Sequence, residues 1–427
     1  MTMPLMHPKR KNPVLRTRQM NLPPWARGRV ALGITAAAAE GRFELQACDD
    51  CGTVQYPPRE ACHRCLSARL RWREQSGEGE LLARTTLHHS NDLFFRERLP
   101  WPLGLVHLDA GPTLMVHLHG EVGDAPTRRG DEDTLPRVRV GARLDRAGQA
   151  VLIGFPNEGS AHMADDKMLR EMTSDPKFRK ALVTDGKTEV GQALVRALVQ
   201  AGADIVWVGH AEPWKKFGAG LDDISALPQV TLVPLDLTNG RSVTELAGEI
   251  GGKVDIVINN AEVHRSFGIA ARRGTDVAKA EMDINYFGLL RLAQEFGPAL
   301  KGRSADGATG ATAWVNLLSI YALSNFPPHG TFSASKAAAH SLAQCLRAEM
   351  RPAGIRVINV FPGPIDDEWN QHTPPPKLLP AALASAIVKA MRDGVEDVYP
   401  GDVAQEWLER WRDNPKVLER ELSAGGS

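Results

Sequence analysis

"KALVTDGKTEVGQALVRALVQAG", residues 180–202, lays an apolar strand, a turn and a helix end to end. Lys180–Thr184 is short with an apolar centre, Ala181, Leu182 and Val183, as suits a strand buried on both faces, and Asp185 and Gly186 break it. The helical pattern "VGQALVRALVQAG" follows the turn. The alternation then repeats through "ADIVWVGH", "VTLVPLDLTN", the helical "SVTELAGEIGG" and "VDIVINNAE". After these come a long helical stretch over 274–300, "AWVNLLSI", a helix from 331, "IRVINVFPG" and a helix near 380–393. Strands and helices in this order predict an α/β doubly wound parallel sheet, Rossmann-like, over 179–427. The closing "DVAQEWLERWRDNPKVLERELSAGGS" predicts one terminal helix ending in a frayed tail.

Upstream the texture changes. Residues 41–155 hold short runs such as "GELLARTTLHH", "LGLVHLDAG", "TLMVHLHG", "VRVGARLD" and "AVLIGFP", punctuated by Gly, Pro and Asp. This predicts a small OB-like β-barrel over 71–157. His88 and His89 are adjacent, so on a strand they would face opposite ways, one solvated and one packed. The polar "NEGSAHMADDKMLREMTSDPKFRK" shows no clear apolar stripe, and 158–178 is expected to be a linker. "ITAAAAEGRF" predicts a short helix entering a cysteine cluster, the two together filling 35–70.

That cluster, "CDDCGTVQYPPREACHRC" over residues 48–65, holds four of the five cysteines in the chain. Cys48 and Cys51 form one CxxC knuckle and Cys62 and Cys65 a second, ten residues on. Each spacing aims two thiolates at one ion, and two such turns close a tetrahedron around zinc. Four sulfurs leave no open position, so a structural zinc is expected; an iron-loaded, rubredoxin-like form is the alternative. Clustered free thiols also point to a reducing compartment over a disulfide framework.

The 427 residues are too many for one ordinary core, which makes the chain multidomain. Lys plus Arg and Asp plus Glu each total 51, so no overall basicity invites a polyanion. The barrel's few aromatics, Phe94, Phe95, Trp101 and Phe155, are not interleaved with Lys or Arg, which also argues against nucleic acid. No apolar run approaches the roughly 18–20 residues that span a bilayer, and no signal-peptide core follows the start, so a cytoplasmic protein with no membrane partner is expected. Residues 1–34 carry Lys9, Arg10, Lys11, Arg16, Arg18, Arg27 and Arg29 with no acid before Glu40. Prolines 4, 8, 13, 23 and 24 oppose an amphipathic helix there, leaving a solvated basic arm or partner-docking segment.

Two resemblances sharpen this. Residues 35–157 resemble the family of acyl-CoA-associated proteins with a rubredoxin-like zinc ribbon and a C-terminal OB-fold. The likeness rests on "CDDCG", "YPPR" followed by "CHRC", "GEGEL" opening the barrel and "PLGLVHLDAG". It implies a module that partners a thiolase-like or aldolase-like acyl-CoA enzyme.

Residues 179–400 resemble the short-chain dehydrogenase/reductase family. The features come in the family's order: a Gly-turn after the first strand, Asp236 after the third, "NNA" from Asn259 after the fourth, Asn285 in the long helix, Ser319 ending the fifth strand, Lys336 in the next helix, and "PG" at 362–363. The resemblance implies that Thr184, Gly186, Gly191, Asp236 and Asn259 line an NAD(P) site. It implies that Ser319 positions a substrate oxygen and that Asn285 and Lys336 belong to the catalytic set, with Lys336 also holding the nicotinamide ribose.

The family's proton donor is a Tyr four residues before that Lys. Here "GTFSASKAAAH", residues 330–340, puts Phe332 in its place. A positioned general acid contributes typically about 10²–10⁴-fold, and Phe has no proton to move. Tyr321 is the nearest phenol in sequence, but it leaves the strand two residues after Ser319. In the cofactor loop "TDGKTEVG", Asp185 and Glu189 replace two of the family's three glycines, and "NNAE" puts Glu262 where the family has Gly. A carboxylate about 4–5 Å from a phosphate costs roughly 3–4 kcal/mol at an effective dielectric near 20. After the second strand His210 offers neither an acid for a ribose diol nor an Arg for a 2′-phosphate. Lys336 then has an alternative account as ion-pair partner of the new carboxylates.

The expectation is a pseudo-dehydrogenase fused to an acyl-CoA-associated barrel, a non-redox accessory or scaffold subunit. Helices near 274–300 and 331–352 would pair it with itself or with an active homologue. The alternative is an NAD(P)-dependent short-chain oxidoreductase acting on an acyl-CoA-type carbonyl or alcohol.

Overall fold

The computed structural model describes residues 20–24, 27–122, 136–211, 219–265, 268–271 and 273–424. Residues 1–19 and 25–26 of the expected basic arm, and the tail after Ala424, lie outside the described residues. The chain forms two compact units, one built mainly from Asn21–Thr173 and the other mainly from Ser174–Arg392 and Glu396–Ser427.

In the first unit, α1 (Leu32–Ala39) buries Ile34, Ala37 and Ala38. A three-stranded antiparallel sheet follows, with β1 (Glu44–Cys48) between β2 (Val54–Gln55) and β3 (Leu70–Glu74). Next come β4 (Glu78–Leu87), the single turn α2 (Leu93–Arg96), β5 (Trp101–Leu108), β6 (Thr113–Leu118), β7 (Arg137–Leu144) and β8 (Ala150–Pro156). These five strands close a barrel in the order β4-β5-β6-β8-β7. The pleat shows in β7, where Val138, Val140, Ala142 and Leu144 point inward while Arg137 and Arg139 face water. With Leu81, Val106, Leu114, Val116 and Leu118 they form the barrel core, and Ile34 and Leu45 join it from the ribbon side.

Two local expectations are corrected here. The stretch 158–178 does not run as a linker: a 3₁₀ turn, Met163–Asp165, leads into α3 (Lys167–Met172), whose N-cap Asp166 accepts the amides of Met168 and Leu169 at 2.9 and 3.0 Å. Met168, Leu169 and Met172 are buried with Phe94, Phe95, Trp101, Ile153 and Phe155. Three apolar side chains in under two turns are too few to show as periodicity in a window of about 11–18 residues. His88 and His89 lie just beyond the end of β4, and both are exposed.

In the second unit, strands and helices alternate: β9 (Lys180–Val183), α4 (Glu189–Gln200), β10 (Ile205–His210), α5 (Ala219–Ser225), β11 (Val230–Pro234), α6 (Gly240–Ile250) and β12 (Ile256–Asn259). The long helix is three pieces, α7 (Asp276–Met282), a π-helical segment Asp283–Gly288, and α8 (Leu289–Arg303). After β13 (Ala313–Leu317) come α9 (Gly330–Met350), β14 (Arg356–Val360), α10 (Pro380–Asp393) and β15 (Asp397–Val398). The seven strands are parallel, in the order β11-β10-β9-β12-β13-β14-β15. Each face of the sheet carries its own apolar core. The strand order reverses between β9 and β12, and the crevice beyond their carboxyl ends is where such sheets bind ligands. The expected single terminal helix is two, α11 (Asp402–Asp413) and α12 (Pro415–Ala424), because Asn414 precedes a proline and takes extended backbone, φ −157°.

Candidate functional site

The metal site is local. The Sγ atoms of Cys48, Cys51, Cys62 and Cys65 all lie within 4.8 Å of one another, with Cys48–Cys65 and Cys51–Cys62 each at 3.6 Å. A tetrahedron with zinc–sulfur bonds of about 2.3 Å has edges of about 3.8 Å, so this donor set fits the ion. Thr53 hydrogen-bonds Cys51 and holds it down at about 6. The Ser67 amide favours a Cys65 thiolate, but the neighbouring Cys51 sulfur, burial, and Cys48 and Cys62 together push it up to about 12. Four sulfurs this close resist joint ionisation unless a cation sits among them.

The second constellation lies at the reversal of strand order. Thr184 leaves β9, and its Oγ1 accepts the amides of Asn260 and Ala261 at 3.0 and 3.1 Å and lies 3.2 Å from Asn259 Oδ1. The Gly186 amide is turned onto Gly209 O at 2.9 Å. Asp185 accepts from the Lys187 amide at 2.8 Å, while the Thr188 hydroxyl caps α4 by taking Gly191 N at 3.0 Å. Burial pushes the Asp185 carboxyl up, against the pull of the Lys187 amide and ammonium. A Cβ on Gly191 would collide with Asp185 O, which accounts for that glycine by helix–loop packing alone. Asp236 lies apart from these, accepting the Thr238 amide and hydroxyl at 2.9 and 2.7 Å in the turn before α6. His210 ends β10 and is buried.

The expected catalytic residues are gathered at the start of α9. Asn285, in the π-helical segment, donates Nδ2 to Val263 O (2.9 Å) and Ser335 Oγ (2.8 Å) and accepts Val263 N (3.0 Å). Ser319 is buried, and its Oγ accepts Tyr321 N at 3.2 Å, capping a short 3₁₀ turn. Lys336 is 2% exposed; its Nζ donates to Leu317 O at 2.9 Å and pairs with Glu262, itself 9% exposed, at 2.7 Å. Phe332 fills the volume of the missing phenol. Its ring stacks on His264, with centroids 3.8 Å apart and planes 15° off parallel, and Lys336 Nζ lies 5.5 Å from its centre. Tyr321 stacks instead on Phe326 at 5.0 Å and meets Trp407 edge-on at 5.5 Å; burial pushes its hydroxyl well above the usual phenol range.

Several participants escaped the sequence reading. His264 and His329 are buried and hydrogen-bonded ring to ring, and both are held neutral. Burial, then His329, Lys336 and Arg265, lowers His264 to about 3, and burial lowers His329 to about 4. Glu281, fully buried, accepts the Arg265 amide at 3.0 Å, and burial raises its carboxyl. Asp367 and Glu368, beyond the "PG" at 362–363, face the same cleft. Burial raises Asp367 in spite of Asn370, with the Glu262 charge adding to the rise. Partial burial, with Asp367 and Glu189 nearby, also raises Glu368, which lies close to the start of α4. The one signal for these was acidic composition in "PIDDEWN".

These residues do not fit a dinucleotide. The amides of 186, 187 and 191, which would otherwise face a pyrophosphate, are bonded to the chain's own oxygens, and the Asp185 carboxyl lies in the loop itself. The Lys336 ammonium is taken by Glu262.

A family model described as short chain dehydrogenase matches residues 179–377. Two more match the first unit: "ChsH2, rubredoxin-like zinc ribbon domain" over 35–71 and "ChsH2, C-terminal OB-fold domain" over 72–149. An uncharacterized oxidoreductase of Staphylococcus aureus is 30% identical over 217 residues, 49% of this chain and 90% of that protein. Farnesol dehydrogenase of Aedes aegypti is 27% identical over 194 residues, 44% of this chain and 78% of that protein. A short chain dehydrogenase from Burkholderia cenocepacia, crystallised in complex with NADP, superposes with a TM-score of 0.52 at 34% identity, covering 57% of this chain and 97% of that one. Among the described residues no helix is long and apolar enough to cross a membrane.

Proposed function

The chain belongs to the short-chain dehydrogenase family through its second unit and carries ChsH2-type zinc-ribbon and OB-fold domains ahead of it; from that premise we propose that it is a non-redox accessory subunit. Its second unit is a pseudo-dehydrogenase, and its first partners a thiolase-like or aldolase-like acyl-CoA enzyme. One observation carries the reading: a phenyl ring, Phe332, lies where the family's phenol gives up its proton, beside a Lys336 already paired with Glu262. Without the acid the hydride step loses about 10²–10⁴-fold, and without a free ammonium the ribose loses its anchor.

The zinc held by Cys48, Cys51, Cys62 and Cys65 is structural in this reading, since a four-sulfur shell leaves no position for substrate. Reduced cysteines in a metal site suit a cytoplasmic protein. The faces of α7–α8 and α9 supply the contact with a second copy or an active homologue. Thr275, Lys279, Met282 and the half-exposed Phe287 line an open hollow of about 590 Å³ on that side.

The competing reading, an NAD(P)-dependent oxidoreductase of acyl-CoA-type carbonyls or alcohols, draws on the relatives: one is named an oxidoreductase, another was crystallised with NADP. Calorimetric titration of the zinc-loaded protein with NADH and with NADPH decides between them. The accessory reading expects no heat of binding at millimolar cofactor and no turnover of a β-ketoacyl thioester. Micromolar binding with turnover would sink it.

A further inference from the structure

The misfit between this cleft and a dinucleotide has a pattern. Three acidic residues from three separate segments, Asp185 after β9, Glu262 after β12 and Glu368 beyond β14, meet the groups that a dinucleotide's oxygens would meet. Glu262 sits on the Lys336 ammonium at 2.7 Å, and the pair is almost wholly out of water. Asp185 takes the Lys187 amide at 2.8 Å. Glu368, at the mouth, stands beside the first turn of the 12-residue α4, close to the Glu189 amide, where a carboxylate faces the positive end of the helix. Of the departures from the family pattern, Glu262 and Asp185 each bring a carboxylate onto a donor of the cleft, the Lys336 ammonium and the Lys187 amide.

The segment that carries Glu368 is a built strap. Leu378 N bonds Pro364 O at 2.8 Å, Asp366 N bonds Leu378 O at 2.9 Å, and Ile365 and Leu378 form a parallel bridge, so the strap is pinned at its base. Lys377 ties Asp366 at 2.8 Å and Asn370 O at 3.3 Å across it. Asp367, buried, caps Trp369 N and Asn370 N at 3.1 and 3.2 Å and accepts Asn370 Nδ2 at 2.9 Å. The tip therefore presents Glu368 to α4 from a fixed frame.

We propose that the dinucleotide cleft is closed from within: Glu262, Asp185 and the strap's Glu368 stand in for the ribose hydroxyls and pyrophosphate, so the domain holds a ligand-bound form with no ligand. The proposal rests on the reading that this domain has left hydride transfer, and it adds a cause. An empty cleft would leave a buried ammonium without a counter-ion and a helix N-terminus with unmet donors. The self-supplied carboxylates satisfy both, and they exclude any second anion by occupancy and by charge.

The test uses the full-length, zinc-loaded chain and the isosteric triple variant Asp185→Asn, Glu262→Gln, Glu368→Gln. Melting is followed with and without NADPH, and binding by calorimetry. Wild type should melt at one temperature in both conditions. The variant should melt lower alone, recover with NADPH, and bind it at least about tenfold more tightly than wild type. A variant that melts like wild type and ignores NADPH overturns the proposal.

If the triple variant does not fold, the pair Asp185→Asn, Glu368→Gln decides, since it clears the phosphate loop and leaves the buried Glu262–Lys336 pair intact. Inorganic pyrophosphate should then raise its melting temperature and leave wild type unmoved, and no shift in either overturns the proposal. Wild-type protein that binds NADPH would overturn the pseudo-dehydrogenase reading as well, whereas variants that gain nothing overturn the closed cleft alone.

Discussion

The cysteine knuckles and the crevice at the reversal of strand order form a contrast on one chain. In the knuckles every donor is in place, and the four sulfurs converge within 4.8 Å. In the cleft the strands, the order reversal, the π-helical segment and Asn285 are all present, yet the groups that would move a proton or hold a phosphate are replaced or already engaged. The difference lies in what each site is to the fold. Four thiolates around an ion would supply folding free energy, so losing one is expected to unfold the module. A cofactor crevice lies outside the carboxyl ends of the strands and can lose its chemistry while both cores under it stay packed. What it cannot lose without cost is charge balance, and Glu262 on Lys336 answers that need.

The sharpest way to break this contrast is to remove metal from the first unit. Cys51→Ser, or a strong chelator, should abolish bound zinc and unfold the ribbon, since structural zinc contributes on the order of 10–16 kcal/mol in isolated fingers. Elemental analysis and limited proteolysis would show it, with the melting of the second unit unmoved. A protease-resistant, zinc-free ribbon would contradict the view that the metal carries the module.

Next in size is the buried ion pair. Glu262→Leu leaves Lys336 uncompensated and should lower the second unit's stability by about 3–5 kcal/mol. The double variant Glu262→Leu, Lys336→Met should recover most of that, because apolar replacement of a whole buried pair is often near neutral. Denaturant titrations of the four proteins in the cycle measure it. If the double variant is as weak as the single, the carboxylate has a role beyond neutralising the ammonium.

The histidine pair gives a smaller, pH-dependent effect with a definite sign. Both folded values, about 3 for His264 and about 4 for His329, lie below the ordinary 6.5, so the native state keeps the rings neutral while the unfolded chain takes up protons. Stability from this source is complete above pH about 6.5 and is lost as pH falls toward 4. The raised carboxyls of Asp185, Asp367 and Glu281 lean the other way, favouring the native state below the ordinary carboxylate range and losing that contribution as pH rises through their folded values. His329→Gln isolates the histidine term: relative to wild type it should flatten the fall between pH 6.5 and 4 by about 3 kcal/mol. Identical pH profiles would refute the assignment.

The smallest expected effect tests the cleft most directly. Phe332→Tyr restores the phenol but leaves Lys336 bound to Glu262, so it should yield no NADPH oxidation with a β-ketoacyl thioester. It should also cost about 1 kcal/mol of stability if the new hydroxyl finds no partner in a site where Phe332 is 2% exposed. Turnover in this variant would mean that the cleft opens to cofactor and that only the acid was missing.

Much of this molecule was readable from local pattern. Cys48, Cys51, Cys62 and Cys65 needed only spacing, because a CxxC turn aims its own sulfurs. The alternation from "KALVT" onward named the doubly wound sheet, because strands buried on both faces must be apolar throughout and their crossovers helical. Phe332 at the phenol's position and the acidic residues 185, 189 and 262 were visible as departures from a pattern. The buried helix inside 163–172 was not, since three apolar residues make no stripe until the barrel wall supplies the other half of the contact. Nor was the meeting of His264 with His329, 65 residues apart, or of Glu262 with Lys336 as a buried pair. Spacing along a chain reports on partners within a turn or two. Which carboxylate neutralises which ammonium, and which histidine stays uncharged, depends on distance and dielectric that exist only once segments remote in sequence share one dry space.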